Sequence, residues 1–268
     1  MMMRGKQYFY SFLLGSLIFM PFSRLTEAAN SYEAKTTGTA SEILNIDSFC
    51  VGAPWSKVVW IHPHANEITS RQIAIQFIAQ QQQGCLYSFQ HTGSRNIQIR
   101  NNHINYYFDP NRIFTAHGRQ HTLKCIHGNC TEAIKQLNLA VENFIHTYLK
   151  QPDLIVAFHN NRQGGLSINS YQGKGYLARN VYKTVRFPQA NAHDFFYVTS
   201  ATAFQFFAQR GFNVAQQNNQ QVQDDGSLSV WAALNRKDYI NIEAGMDHVA
   251  AQTKMLQAVA EYMQYYYQ

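Results

Sequence analysis

Two apolar runs constrain this chain more than anything else in it: Val58-Val59-Trp60-Ile61 and Leu154-Ile155-Val156-Ala157-Phe158. Each is short, continuous and rich in strand-forming residues, as expected of strands buried on both faces in a helix-covered parallel sheet. Each also ends abruptly at a histidine. The first enters His62-Pro63-His64-Ala65-Asn66-Glu67, and the second reaches His159. Ligands of open α/β sheets bind beyond the carboxyl ends of the strands, so both histidines fall where a site would begin.

The order of elements extends this reading. A helix from Thr69 or Ser70 to about Gln83, followed by a strand at Cys85–Phe89, makes strand, site loop, helix, strand: the start of a parallel βαβ sheet. Residues 96–100 and 104–108 alternate around Asn101-Asn102-His103 and read as a hairpin leading into Asp109-Pro110-Asn111-Arg112. Residues 115–130 read as a polar loop, and a long helix follows from Thr131 to about Lys150. An extended loop region is expected over 160–193 with a short strand at 166–168, then a helix over 201–210. Gln216–Gln223 reads as a polar surface loop. Two strands, 227–234 and 239–243, then precede a last helix over about 248–265. The expectation is one α/β domain with a mixed, mostly parallel sheet flanked by helices, spanning residues 48–268.

Ahead of it, Arg4 and Lys6, a largely apolar stretch from Phe9 to Phe22, and the small residues Ala28-Ala29 form the pattern of a signal peptide over residues 1–28. Residues 29–47 read as a flexible segment. Export to the periplasm or medium follows, with no membrane span after processing. Loss of Arg4, Lys6, Arg24 and Glu27 lowers the formal charge from +6 to +4 with no Lys/Arg cluster, which gives no indication of nucleic-acid binding. In an oxidising compartment the four cysteines read as disulfides with three possible connectivities. Cys125–Cys130 with Cys50–Cys85 is preferred, against a zinc site at Cys125, His127 and Cys130.

His64-x-x-Glu67 can supply two metal ligands, and His159 a third. Zinc held by two imidazoles and one carboxylate keeps an open position for water. Glu243, on a late strand, has the chemistry of a general base. Arg112 offers the planar fork that binds a carboxylate through two hydrogen bonds, with Asn111 beside it. Any one of these motifs is ordinary; in this order they resemble the zinc carboxypeptidase superfamily, including its aspartoacylase and succinylglutamate desuccinylase branch. The resemblance runs from about Val58 to the C-terminus. It implies one Zn2+ per chain on His64, Glu67 and His159, Asp109-Pro110-Asn111-Arg112 as the substrate anchor, and Glu243 as the base. It also implies an upstream arginine that stabilises the oxyanion, Arg100 being favoured over Arg95. A tyrosine over the substrate is expected among Tyr171, Tyr176, Tyr182 and Tyr197.

The expected protein is thus a monomeric, exported zinc hydrolase that cleaves an amide beside a free carboxylate, in the form of a carboxypeptidase acting on small or cell-wall peptides. The alternatives are an N-acyl amino acid deacylase and a non-catalytic carboxylate-binding protein.

Overall fold

Three parallel strands, buried at every residue except Asp238, form the centre of the sheet: β2 (Val58–His62), β7 (Leu154–Asn161) and β11 (Asp238–Gly245). Around them lie β1 (Ile46–Val51), β3 (Gly84–Phe89), β8 (Val181–Val185), β9 (Phe195–Val198) and β10 (Asn213–Gln217), in the order β1-β3-β2-β7-β11-β9-β10-β8. β1, β8 and the β9–β11 junction are antiparallel; the other pairings are parallel. The computed structural model describes residues 43–90, 93–100 and 105–267. The signal-peptide reading over 1–28 and the turn Asn101-Asn102-His103 lie outside the described residues.

Side-chain alternation divides the core into two layers. Val58, Trp60, Val156, Phe158, Ile240 and Ile242 face the helices α1 (Ile68–Gln81), α4 (Ala201–Gln209) and α6 (Val249–Tyr266). Val59, Ile61, Ile155, Ala157 and Tyr239 face α3 (Cys130–Phe144) and α5 (Leu228–Leu234). A separate three-stranded sheet, β4 (Ile97–Arg100), β5 (Asn105–Phe108) and β6 (Lys124–His127), and the short helix α2 (Ala116–Thr122) flank the second layer. The fold is therefore a mixed α/β sheet with helices on both faces, as the apolar runs imply.

Several local expectations are corrected. Residues 227–234 form a helix, not a strand: Ser227 precedes it, and Leu228, Trp231 and Ala232, at helical spacing, enter one core layer. Periodicity alone cannot separate a short buried helix from a strand. The supposed loop 115–130 contains α2 and β6, and 166–168 leads into a 3-10 turn, Ile168–Tyr171, rather than a strand. β8 lies inside the region read as loop. Gln216 and Gln217 belong to β10, where buried Gln217 accepts a bond from Tyr197 Oη and donates to Ser229 O. The caps also move: Asn129, not Thr131, accepts the bond at the start of α3, and Glu67 occupies the cap position of α1. Leu149 and Tyr148 follow α3 in a π turn, Ile145–Leu149. In the segment read as flexible, Ile43 and Leu44 are buried and β1 begins at Ile46.

Both preferred disulfides form. Cys50–Cys85 joins directly opposed residues of β1 and β3, and Cys125–Cys130 ties β6 to the start of α3. They close loops of 35 and 5 residues. Chain entropy therefore predicts that C50A/C85A loses about 4 kcal/mol of stability and C125A/C130A about 2 kcal/mol. Urea unfolding of the two double variants measures the difference, and equal or reversed losses would show that loop closure is not what these bonds contribute.

Candidate metal centre

Glu67 is placed by a knot of local bonds. Its N–H donates to His64 O at 3.0 Å, and its own carbonyl accepts from His62 Nε2 at 2.9 Å and Ser70 Oγ at 2.8 Å. His62 is thereby spent on structure: burial pushes its imidazole down to about 4, so it stays a neutral donor to the loop. His64, freed from the strand by Pro63, turns the other way.

His64 Nδ1 lies 2.9 Å from Glu67 Oε1 and 3.1 Å from His159 Nδ1, while His159 Nδ1 lies 2.9 Å from Glu67 Oε2. All three side chains are buried, and among the described residues they are the one group of three or more whose ligand atoms lie within 4.8 Å of one another. Asn160 holds the arrangement from behind. Its N–H donates to Glu67 Oε2 at 3.1 Å, its Oδ1 accepts from Ser70 N at 2.7 Å, and its Nδ2 reaches Gln252 Oε1 at 3.2 Å.

The donor set fits a divalent metal ion. His64 Nε2 is 2.8 Å from Asp109 Oδ1, so it carries the proton and donates it. A neutral His64 then directs its Nδ1 lone pair at a carboxylate oxygen 2.9 Å away, two acceptors face to face. Only a cation, a proton or a metal ion, makes that contact favourable. Without a metal the cluster draws protons. Burial lowers the His64 pKa, but Glu67 and Asp109 outweigh this and raise it. Burial pushes Glu67 up, yet the charges of His159 and His64 and their hydrogen bonds hold it well below the usual carboxylate range. Asp109, quoted above as part of the anchor motif, bonds His64, a candidate ligand, in the position that outer partners take behind metal-bound imidazoles. It too is held far below its ordinary value: burial raises it, but the bond from His64, that residue's charge, and the charges of Arg95 and Arg112 prevail.

Glu243 sits across from His159 in the β7–β11 register, on the same face of the sheet. Burial is the largest influence on it and raises its pKa. Asn241 Nδ2 donates to one of its oxygens at 3.0 Å and Asn161 Nδ2 approaches the other at 3.4 Å. The readings from sequence missed these two asparagines. Their signal was the period of two: Asn241 and Glu243 share a strand face, as do His159 and Asn161.

Asn111 and Arg112 occupy the turn after Asp109. Asn111 Nδ2 is 3.5 Å from His159 Nε2, and its Oδ1 accepts from Leu228 N at 3.3 Å. Arg112 donates from NH1 to Asn111 O at 2.8 Å, and its Nε is 3.5 Å from Asp225 Oδ2. The backbone here is tight. A Cβ on Gly226, which has φ +78°, would lie 2.2 Å from Arg112 O, so only glycine fits.

Arg100 is not brought to this cluster. It lies exposed at the end of β4 opposite Asn105, the end of the ladder away from Phe108 and the adjoining Asp109. Arg95 reaches instead, 2.9 Å from Glu67 Oε1 and 3.4 Å from Asp109 Oδ2. Of the four tyrosines, Tyr176 and Tyr182 are exposed, Tyr197 donates to Gln217, and Tyr171 packs on Phe195 and Tyr197. None hydrogen-bonds the cluster among the described residues.

No protein-family model matches the sequence, and no curated protein matches it. Similar solved structures include bovine thrombin-activatable fibrinolysis inhibitor in complex with tick carboxypeptidase inhibitor, at 12% identity and TM-score 0.46, covering 91% of this chain and 93% of that one. A presumptive metallopeptidase from Shewanella denitrificans is similar at 13% identity and TM-score 0.44, covering 91% and 88%. The product-bound ectoine utilization protein EutE from Ruegeria pomeroyi is similar at 16% identity and TM-score 0.42; the match covers 81% of this chain and spans 60% of that protein's length.

Two outcomes are expected of metal-binding measurements. Asp109→Asn keeps the three ligands but weakens zinc binding about 10- to 100-fold. Because the His64 pKa is raised, protons compete with metal from a pH above the usual histidine value, so affinity falls as the pH is lowered from above that value. Competition titration with a chromophoric chelator reads both. Affinity that is flat through that range would contradict the assigned ligand.

Proposed function

We propose that this protein is an exported zinc hydrolase that cleaves an amide bond next to a free carboxylate, as a carboxypeptidase acting on small or cell-wall peptides. The observation that carries the reading is the meeting of His64, Glu67 and His159 at one point, with Glu243 in register beside His159 and Asn111-Arg112 next to them.

His64, Glu67 and His159 would hold the ion, with Asp109 fixing the orientation of His64. Zinc in such a site supplies Lewis acidity toward water and toward an amide carbonyl. Glu243 accepts a proton from the attacking water and delivers it to the leaving nitrogen. Burial raises its pKa, which suits a group that must both take and return a proton. Arg112 holds the free carboxylate in its guanidinium fork and so places the neighbouring amide against the cluster. Arg95 takes the role assigned from sequence to Arg100, as the cation closest to the developing oxyanion.

The N-terminal signal pattern and two disulfides support export. No helix among the described residues is long and apolar enough to cross a membrane.

Glu243→Gln is expected to bind zinc as the parent does and to lose about 10²- to 10⁴-fold in kcat. The assay is a panel of N-blocked dipeptides and N-acyl amino acids, with zinc measured on the same samples. Full activity in the variant would remove Glu243 from the mechanism. Cleavage of N-acyl amino acids alone would replace the peptidase reading with deacylation.

A further inference from the structure

Asn241 is buried on β11 two residues before Glu243, on the same face of the strand. It stands opposite Ala157 of β7 on one side and Tyr197 of β9 on the other. Among the described residues its side chain makes one hydrogen bond, from Nδ2 to Glu243 Oε1 at 3.0 Å. Its Oδ1 is buried and has no hydrogen-bond partner there. Buried side-chain oxygens are nearly always paired, and one left unpaired costs folding free energy. Leucine has the same number of side-chain heavy atoms, branches at the same carbon and leaves nothing unpaired. Stability alone therefore favours leucine at 241. What the amide adds is the bond to Glu243.

Asn161 is placed differently. Its Oδ1 is also without a partner, but its Nδ2 donates to His193 O at 2.8 Å and approaches Glu243 Oε2 only at 3.4 Å. The shorter bond ties the end of β7 to the loop before β9, so Asn161 has work to do in the fold. The two oxygens of Glu243 are thus unequal: Oε1 is pinned and Oε2 is loosely held. Oε1 goes on accepting from Asn241 when Oε2 carries a proton, because a carboxylic acid keeps its carbonyl acceptor. A flipped Asn241 would set Oδ1 against Oε1, acceptor against acceptor, so the orientation of the amide is fixed through the whole proton cycle.

We infer that Asn241 is a positioning residue for Glu243: it holds Oε1 in place and leaves Oε2 as the oxygen that takes a proton from the attacking water and returns it to the leaving nitrogen. One proton is gained and then lost at Oε2 while the C–O bond forms and the C–N bond breaks. This rests on the reading of Glu243 as the proton carrier and adds to it the group that aims it. A carboxylate released from Asn241 can turn about its last bond, a broad and weakly restrained torsion, and presents Oε2 correctly for only part of the time. Misplacing a reacting group costs rate, so the loss falls on kcat.

The test uses the zinc-loaded protein and N-blocked dipeptides, with zinc content and urea midpoint measured on the same samples. Asn241→Leu is expected to lower kcat about 10-fold or more, the scale of one hydrogen bond to a charged group. KM and zinc content should stay as in the parent, and the urea midpoint should equal the parent's or exceed it. Asn241→Ala, which cannot clash with its neighbours, should show the same loss in kcat. In the Glu243→Gln background neither substitution should cost anything further, because Asn241 acts through Glu243. Full kcat in both variants, or losses that multiply with that of Glu243→Gln, overturn the inference while leaving Glu243 as the proton carrier. A midpoint for Asn241→Leu below the parent's shows that the fold needs the amide and also overturns it. Full activity of Glu243→Gln itself overturns the reading of Glu243 and the inference with it.

Discussion

The pairing of β7 with β11 is the constraint on which the rest depends. It sets Leu154 opposite Asp238 and carries that register to Asn161 opposite Gly245, so His159 faces Glu243 at the carboxyl ends. Side chains alternate with a period of two, and a slip of one residue would turn every core group of one strand to the wrong layer. Ile155 and Ala157 on one side, Val156 and Phe158 on the other, make such a slip prohibitively costly. A candidate ligand and a candidate base are thus held together by the register of the hydrophobic strands.

The site gathers buried charge where neighbouring groups compensate it. Glu67 and Glu243 are both carboxylates removed from water, yet their environments drive them in opposite directions. Glu67 is surrounded by two imidazoles, Arg95 and the Asn160 N–H, so its ionised form prevails. Glu243 receives amide donors only, and burial dominates. That division suits Glu67 to the proposed part of a ligand and Glu243 to that of a proton carrier.

Much of this was legible in the chain. The apolar runs located β2 and β7, and His64, just beyond the first, and His159, just after the second, both reach the cluster. Cys50–Cys85 and Cys125–Cys130 followed from preferring one tight loop and one long closure. What escaped shares a cause. The helix Leu228–Leu234 and the strands β8 and β10 carry too few residues for their period to show, and they are defined by neighbours distant in sequence. Arg95 and Arg100 are equally plausible in one dimension; the β4–β5 ladder, which sets Arg100 at the end away from Phe108 and Asp109, and the contacts of Arg95 with Glu67 and Asp109 decide between them.

The sequence by itself determined which residue types could do the chemistry and which strands would carry them, because burial patterns and ligand spacing are local properties. Tertiary structure alone decided the placements. It took Asp109 from the anchor motif and set it behind His64, spent His62 on a loop carbonyl, and placed Asp225 beside Arg112. Those assignments depend on distances of about three ångströms between residues far apart in the chain, and only the packed sheet and its helices fix such distances.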